Sequence, residues 1–467
     1  SVMTLYSNLT LSEPGGPSAS VFLPSGAAGG GIIEGGPSPL PTYYESSRFE
    51  WSSMIGSLRP RVSRDPDVST ISERLQHVLY GIDMWRVPHD PQWPESGVGL
   101  AAEFGCGDEG AACIPGRDWL EELPPGAREI TNGVLGYEEA DVDEPFLKIG
   151  VGKLRKGSCA SCDPDDLGPG GYKFNNPYLF FKAPSWRIIE SNDSSIIMES
   201  EEILDPSERK AQSKKTYGYR LRKSISISDG LKADATSLIV ETTLTNLGSE
   251  SFSTPWYSHH FFTCDGYPVG ADEKGYAVDF DINPSPEGQP LYSDLNWATP
   301  LGQYADVTGD SAKKSVRVAL NREVEEGIRM KIELPDDGET EGAFVLHGCG
   351  ASVSASVPST SIKGQIEMYA FNLYAERGTL SPEALFLISA KPGESVQWAQ
   401  HITFAEDSGN FERRTRFKST QKGFFSHSPS SGLMLGMGVL GGVLLSMKVL
   451  NNFLPSGFRQ NDGYSQI

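Results

Sequence analysis

Positive charge is what this chain has least of for its size. Forty Lys and Arg stand against 61 Asp and Glu, for a formal net charge of -21 and a pI near 4.8. So acidic a surface repels phosphate backbones, which argues against a nucleic-acid partner. The cysteine pattern of a structural zinc site is missing too. Of six cysteines, only Cys159-Ala-Ser-Cys162 forms a CxxC, with no second pair and no histidine nearby. A structural zinc site needs two such pairs, or one pair with closely spaced histidines. No metal and no cofactor are therefore expected, and the CxxC reads as a loop disulfide or two free thiols. There is no repeat of fixed period, which excludes a solenoid or propeller. Between residues 185 and 404 no strong helical pattern of twelve or more residues breaks the sequence.

What the chain does have is turns and strands. With 51 Gly and 32 Pro it is rich in turn formers, as expected of a chain with few long helices. Short β-branched runs follow one another from residue 185, several alternating apolar with polar. Examples are Trp186-Arg-Ile-Ile-Glu, Tyr219-Arg-Leu-Arg-Lys-Ser-Ile, Ser237-Leu-Ile-Val-Glu-Thr, Ile328-Arg-Met-Lys-Ile-Glu and Gln365-Ile-Glu-Met-Tyr-Ala-Phe. Asn, Gly, Asp and Pro separate them. Such a series predicts an all-β domain of antiparallel sheets packed face to face. The expected organisation is a flexible Gly/Ser/Pro-rich leader over 1–42, the sandwich over 43–410, a basic linker over 411–430, a single transmembrane helix over 431–450 and a polar tail over 451–467.

The expected helix rests on Gly432 to Met447, sixteen residues without a charge, continued past Lys448 to Leu454. A bilayer span needs roughly 20 apolar residues, so Lys448 must snorkel to an interface. Gly432/Gly436 and Gly438/Gly442 give two GxxxG spacings, which suit close packing on a membrane-protein partner. Five basic residues (Arg413, Arg414, Arg416, Lys418, Lys422) precede the segment and two (Lys448, Arg459) follow it. This asymmetry places the sandwich on the cytosolic, stromal or matrix side. The opposite placement, in a secretory or endosomal lumen, is suggested by the sequons Asn8-Leu-Thr10 and Asn192-Asp-Ser194 and by the sorting-like tail Gly463-Tyr-Ser-Gln-Ile467.

Several segments then combine into a resemblance. Tyr257-Ser-His-His-Phe-Phe is similar to the histidine strand of the aldose 1-epimerase (galactose mutarotase-like) superfamily. Ala102-Glu103-Phe104, Phe146-Leu-Lys-Ile-Gly-Val-Gly-Lys-Leu and Tyr217-Gly-Tyr-Arg-Leu-Arg-Lys resemble further strands of that superfamily, in order. Ser381-Pro-Glu383, followed by Lys391-Pro-Gly-Glu-Ser-Val-Gln-Trp398, resembles its glutamate strand and the turn after it. The resemblance covers roughly residues 43–404 and implies a β-supersandwich.

It also implies a chemistry. Interconverting sugar anomers requires ring opening, with one group protonating the ring oxygen while another takes the proton of the anomeric hydroxyl. Carried over by motif, His259 is the general acid and Glu383 the general base. His260 should face the other way or support the site, because neighbouring side chains on a strand point to opposite faces. His260, Asp265, Glu103, Lys148, Arg220 and Trp256 are the implied substrate-binding candidates, with a free sugar or sugar phosphate as substrate. The superfamily's Gly-Arg…Asn-Arg segment is absent, and Gly152-Lys-Leu-Arg-Lys156 stands where it is expected. That departure motivates an alternative, a non-catalytic sugar-binding or scaffold subunit of a membrane complex. A polysaccharide lyase or hydrolase is a further alternative, since fold does not fix function.

Overall fold

The computed structural model describes residues 6–12, 18–24, 49–50, 55–59, 100–105, 133–159, 172 and, with short interruptions, 178–406. The expected linker, transmembrane helix and polar tail lie outside these residues. Among the described residues no helix is long and apolar enough to cross a membrane. The described residues form 3-10 turns but no α-helix.

Strands are numbered in chain order. A nine-stranded sheet runs β1 (Tyr6–Ser12), β2 (Ser18–Pro24), β3 (Ile55–Arg59), β4 (Leu100–Phe104), β13 (Phe252–His260), β22 (Thr379–Ala390), β21 (Ile366–Glu376), β18 (Ile328–Glu333) and β15 (Ser293–Asp294). A ten-stranded sheet runs β16 (Ala305–Asp310), β17 (Ser315–Leu320), β14 (Ala277–Asp281), β19 (Phe344–Gly348), β20 (Ala351–Ser356), β23 (Ser395–Glu406), β12 (Ala235–Asn246), β11 (Tyr217–Asp229), β10 (Ser195–Leu204) and β9 (Trp186–Ser191). A four-stranded sheet joins β5 (Val134–Leu135), β6 (Pro145–Lys148), β7 (Gly152–Arg155) and β8 (Phe180–Lys182). The paired strands of the described residues are antiparallel, as the alternating runs predicted. β1 and β2 fall inside the stretch expected to be a flexible leader. Ser7-Asn-Leu-Thr-Leu11 and Ser18-Ala-Ser-Val-Phe-Leu23 are strand-like runs that the surrounding Gly and Pro obscure.

One hydrophobic core joins the two large sheets. Phe104, Trp256, Phe371 and Phe386 of the first meet Leu221, Val240, Phe344 and Trp398 of the second. Trp398 is edge-on to Trp256 at 5.3 Å and to Phe104 at 6.1 Å. β13 is buried along its whole length on both faces. It pairs with β22 through Phe252–Trp256 and with β4 through Trp256–His260. Pro255 sits at the changeover, its carbonyl accepting from the Gly105 amide at 2.7 Å.

A charged pair lies in this apolar interior. Lys223 on β11 donates to Glu50 Oε1 at 2.6 Å and to Thr242 Oγ1 at 2.7 Å, and both charged side chains are wholly buried. Burial lowers the pKa of the Lys223 ammonium, while Glu50 opposes the shift. The Glu50 amide donates to the Ala102 carbonyl at 2.9 Å, which ties residues 49–50 to β4. A buried pair contributes little net stability, but removing one member strands the other in low dielectric. Lys223→Met alone should therefore destabilise the domain by about 3–5 kcal/mol, and the double variant with Glu50→Leu by clearly less. Chemical denaturation of the three proteins measures the difference.

Candidate functional site

The two-residue period of β13 sorts its side chains. Trp256 and His260 point between the sheets. His260 lies edge-on to Phe344 at 5.1 Å, with its Nε2 3.4 Å from Gln400 Nε2. A narrow cavity beside it is lined by Trp256, Ser258, Phe344 and Gln400. Tyr257 and His259 therefore project from the opposite face of the first sheet, turned away from the second.

The register of the neighbouring strands brings chemistry onto that outer face. On β22, Ala384 and Phe386 line the interior cavity, so Ser381 and Glu383 face outward with His259. His259 Nε2 stands 3.6 Å from Glu383 Oε1, with both side chains about 95% buried (6% and 5% exposed). Ser381 links the two strands: its hydroxyl donates to Glu383 Oε1 at 3.3 Å and accepts from the His260 amide at 3.0 Å. β21 places Asn372 opposite Glu383 and Tyr374 opposite Ser381, and β18 places Arg329 opposite Tyr374. Aromatic rings enclose the imidazole. Phe261 stacks on it at 4.0 Å, Tyr374 meets it edge-on at 5.6 Å and Phe49 at 6.0 Å.

A second polar group lies beside it. On β4, Glu103 is opposite Tyr257 and Ala101 opposite His259. The Tyr257 hydroxyl donates to Glu103 Oε2 at 2.6 Å. Lys148, at the end of β6, forms a wholly buried ion pair with Glu103 at 3.4 Å and also donates to the Phe104 carbonyl. Gly133 sits against this junction with φ +74; a Cβ there would lie 1.8 Å from the Phe104 carbonyl oxygen. Only glycine allows so close an approach in that conformation.

Four of the residues singled out from sequence, His259, Glu383, Glu103 and Lys148, thus gather on or beside one face. His260 and Trp256 point into the core. Arg220 lies on the exposed side of β11, bonded to Glu201 at 2.9 and 2.7 Å. Asp265 lies outside the described residues. Sequence reasoning did not single out Ser381, Asn372, Tyr374, Arg329 or Tyr369. Their signal is the strand register, which no single segment carries. Burial raises the pKa of the Tyr369 hydroxyl far above its ordinary range, with the Glu383 carboxylate reinforcing the shift and Arg329 opposing it. Tyr369 therefore remains a hydrogen-bond donor at any physiological pH.

The His259–Glu383 contact differs from a second one in the domain. His347 Nε2 lies 3.0 Å from Asp279 Oδ2, and Arg317 contacts both Asp279 oxygens at 2.9 and 2.7 Å. That cluster is partly exposed on the outer face of the second sheet, and a solvated ion cluster accounts for it. Among the described residues no group of His, Cys, Asp and Glu is arranged to hold a metal ion.

Burial pushes the His260 imidazole down to about 3 from an ordinary 6.5. The unfolded chain takes up this proton below pH 6.5 and the folded chain does not. Stability from His260 is therefore complete above about pH 6.5 and is lost as pH falls toward 3. The limiting slope is about 1.4 kcal/mol per pH unit. His260→Gln should flatten the dependence of unfolding free energy on pH between 6.5 and 5, as read from urea titrations.

Comparison with known proteins gives likenesses of fold. No protein-family model matches the chain, and no curated protein matches it. Its neighbours among solved structures include aldose 1-epimerase and galactose mutarotase-like proteins. A galactose mutarotase-like protein from Clostridium acetobutylicum is 13% identical, with a TM-score of 0.36, covering 84% of this chain and 93% of its own. The aldose epimerase homologue from C. elegans is 10% identical, with a TM-score of 0.35, covering 86% and 98%. A galactose mutarotase-like protein from Lactobacillus casei is 11% identical, with a TM-score of 0.33, covering 85% and 100%.

Proposed function

We propose that this chain is a carbohydrate-active isomerase of the aldose 1-epimerase type, built on a mutarotase-like β-supersandwich. The observation that carries the proposal is the buried contact of His259 Nε2 with Glu383 Oε1 at 3.6 Å. The ring oxygen and the anomeric hydroxyl of an aldose are bonded to one carbon, so an acid and a base this close can each reach one of them.

Protonated His259 donates its Nε2 proton to the ring oxygen as Glu383 removes the proton of the anomeric hydroxyl. The bond between ring oxygen and anomeric carbon breaks and a carbonyl forms at that carbon. Rotation about the adjacent carbon–carbon bond presents the other face. His259 then takes the proton back from the attacking hydroxyl, and Glu383 returns its proton to the carbonyl oxygen. The Ser381 hydroxyl at 3.3 Å holds the Glu383 carboxylate in place. Tyr257, Glu103 and Lys148 are connected beside the acid, where they would bind hydroxyls of the sugar. No cofactor is needed.

One observation favours a second reading, a non-catalytic sugar-binding or scaffold subunit. Phe261 lies flat on the His259 ring at 4.0 Å, and the pair is almost wholly enclosed, so a substrate must displace aromatic side chains to reach it.

Anomer exchange by polarimetry or NMR, across hexoses and hexose phosphates, separates the two. The isomerase should accelerate exchange, with kcat/KM falling about 10²–10⁴-fold in His259→Ala and in Glu383→Gln. Exchange no faster than buffer, with saturable sugar binding retained, would instead establish the non-catalytic subunit. The rate should also be bell-shaped in pH, and a flat profile between about pH 5 and 9 would remove the acid–base pair from the mechanism.

A further inference from the structure

Two features outside the candidate site bear on where the domain works. β9 and β10 form a hairpin at the edge of the ten-stranded sheet, and its connection is Asn192-Asp193-Ser194. These residues are a complete Asn-X-Ser sequon placed wholly in the turn. Asn192 and Asp193 are exposed. Asn192 Oδ1 accepts from the Ser194 amide at 3.0 Å, the Ser194 hydroxyl at 3.3 Å and the Ser195 amide at 2.9 Å. The amide oxygen is thereby held inward, and the nitrogen takes no part in these three bonds. The hydroxyl two residues on already donates to the amide whose nitrogen would be modified. The other sequon is placed differently: Asn8 lies inside β1, in register with Phe22 of β2.

The second feature is Cys159, which is disulfide-bonded. It lies just beyond β7 and is packed in a small aromatic core with Phe146, Tyr172 and Tyr178. Disulfides form and persist in oxidising compartments and are rare in the cytosol. The disulfide and the sequon are independent observations, and they agree with each other against the count of basic residues near the apolar C-terminal segment.

We infer that Asn192 is an N-glycosylation acceptor and that the sandwich faces an oxidising secretory lumen. The donor is a polyisoprenyl diphosphate oligosaccharide. Asn192 Nδ2 forms a bond to the anomeric carbon of the glycan, and the bond from that carbon to the donor's diphosphate breaks. The diphosphate leaves with the electron pair, and the Nδ2 proton passes to the transferase. The glycan extends from the edge hairpin, on a different sheet from His259 and Glu383, so neither reading of the candidate site depends on it. It would also shield β9, an edge strand with Ile189 44% exposed, and an unshielded edge strand can template pairing with another chain.

The test is a peptide map of the full chain isolated from the cells that express it, before and after peptide-N-glycosidase. Enzyme treatment should increase electrophoretic mobility and convert Asn192 to Asp. Ser194→Ala, expressed in the same cells, should leave Asn192 unconverted. Cys159 should resist alkylation until the protein is reduced. Recovery of Asn192 unmodified throughout the population overturns the site. Cys159 that alkylates fully without reduction overturns the lumenal placement.

Discussion

Alternation along β13 is the constraint on which the rest depends. This strand is buried on both faces, so each of its residues must satisfy one of two environments, with no solvent to forgive an error. One face is the sandwich core, where Trp256 packs against Trp398. The other carries Tyr257 and His259 toward carboxylates on the two flanking strands. A shift of one residue would bury the Tyr257 hydroxyl among core aromatics and turn Trp256 toward Glu103. Register here is therefore determined by polar pairing and apolar packing together.

Buried charge is the second organising element. Glu50–Lys223 and Glu103–Lys148 are both wholly enclosed, although ion pairs in low dielectric contribute little net stability. Their geometry shows what they do instead. Glu50 anchors a segment arriving from far away in sequence, and its neighbour Phe49 then meets the His259 ring. Lys148 joins the four-stranded sheet to β4 through the Phe104 carbonyl. The first pair ties residues 49–50 to β11 of the second sheet, and the second ties the four-stranded sheet to β4 of the first.

The sequence revealed the architecture and the two central residues unequally. Antiparallel strands followed from short alternating runs, and His259 and Glu383 followed from a resemblance in local motifs. Adjacent histidines on one strand had to diverge, and they do. The partners were not legible. Asn372, Tyr374 and Arg329 come from strands whose register with Glu383 depends on pairings across the whole sheet. Arg220 and Trp256 carried motif resemblance, but alternation within their own strands directs Arg220 to the surface and Trp256 into the core. β1 and β2 were obscured because composition averaged over forty residues outweighs two seven-residue runs.

Pro255 has a consequence for the shape of the sheet. Among the described residues its carbonyl is the last on β13 to accept from the chain leaving β4, and it has no amide hydrogen to offer in return. Pairing on that side cannot continue unbroken past the proline, because any strand laid there would meet an acceptor with no donor beside it. A residue fixed at φ near −65° thus acts as a stop on the length of β4. The chain bends at Gly105, which has a φ of 140, a value open to glycine. The proline and the glycine, 150 positions apart in sequence, together determine where the first sheet releases its strand.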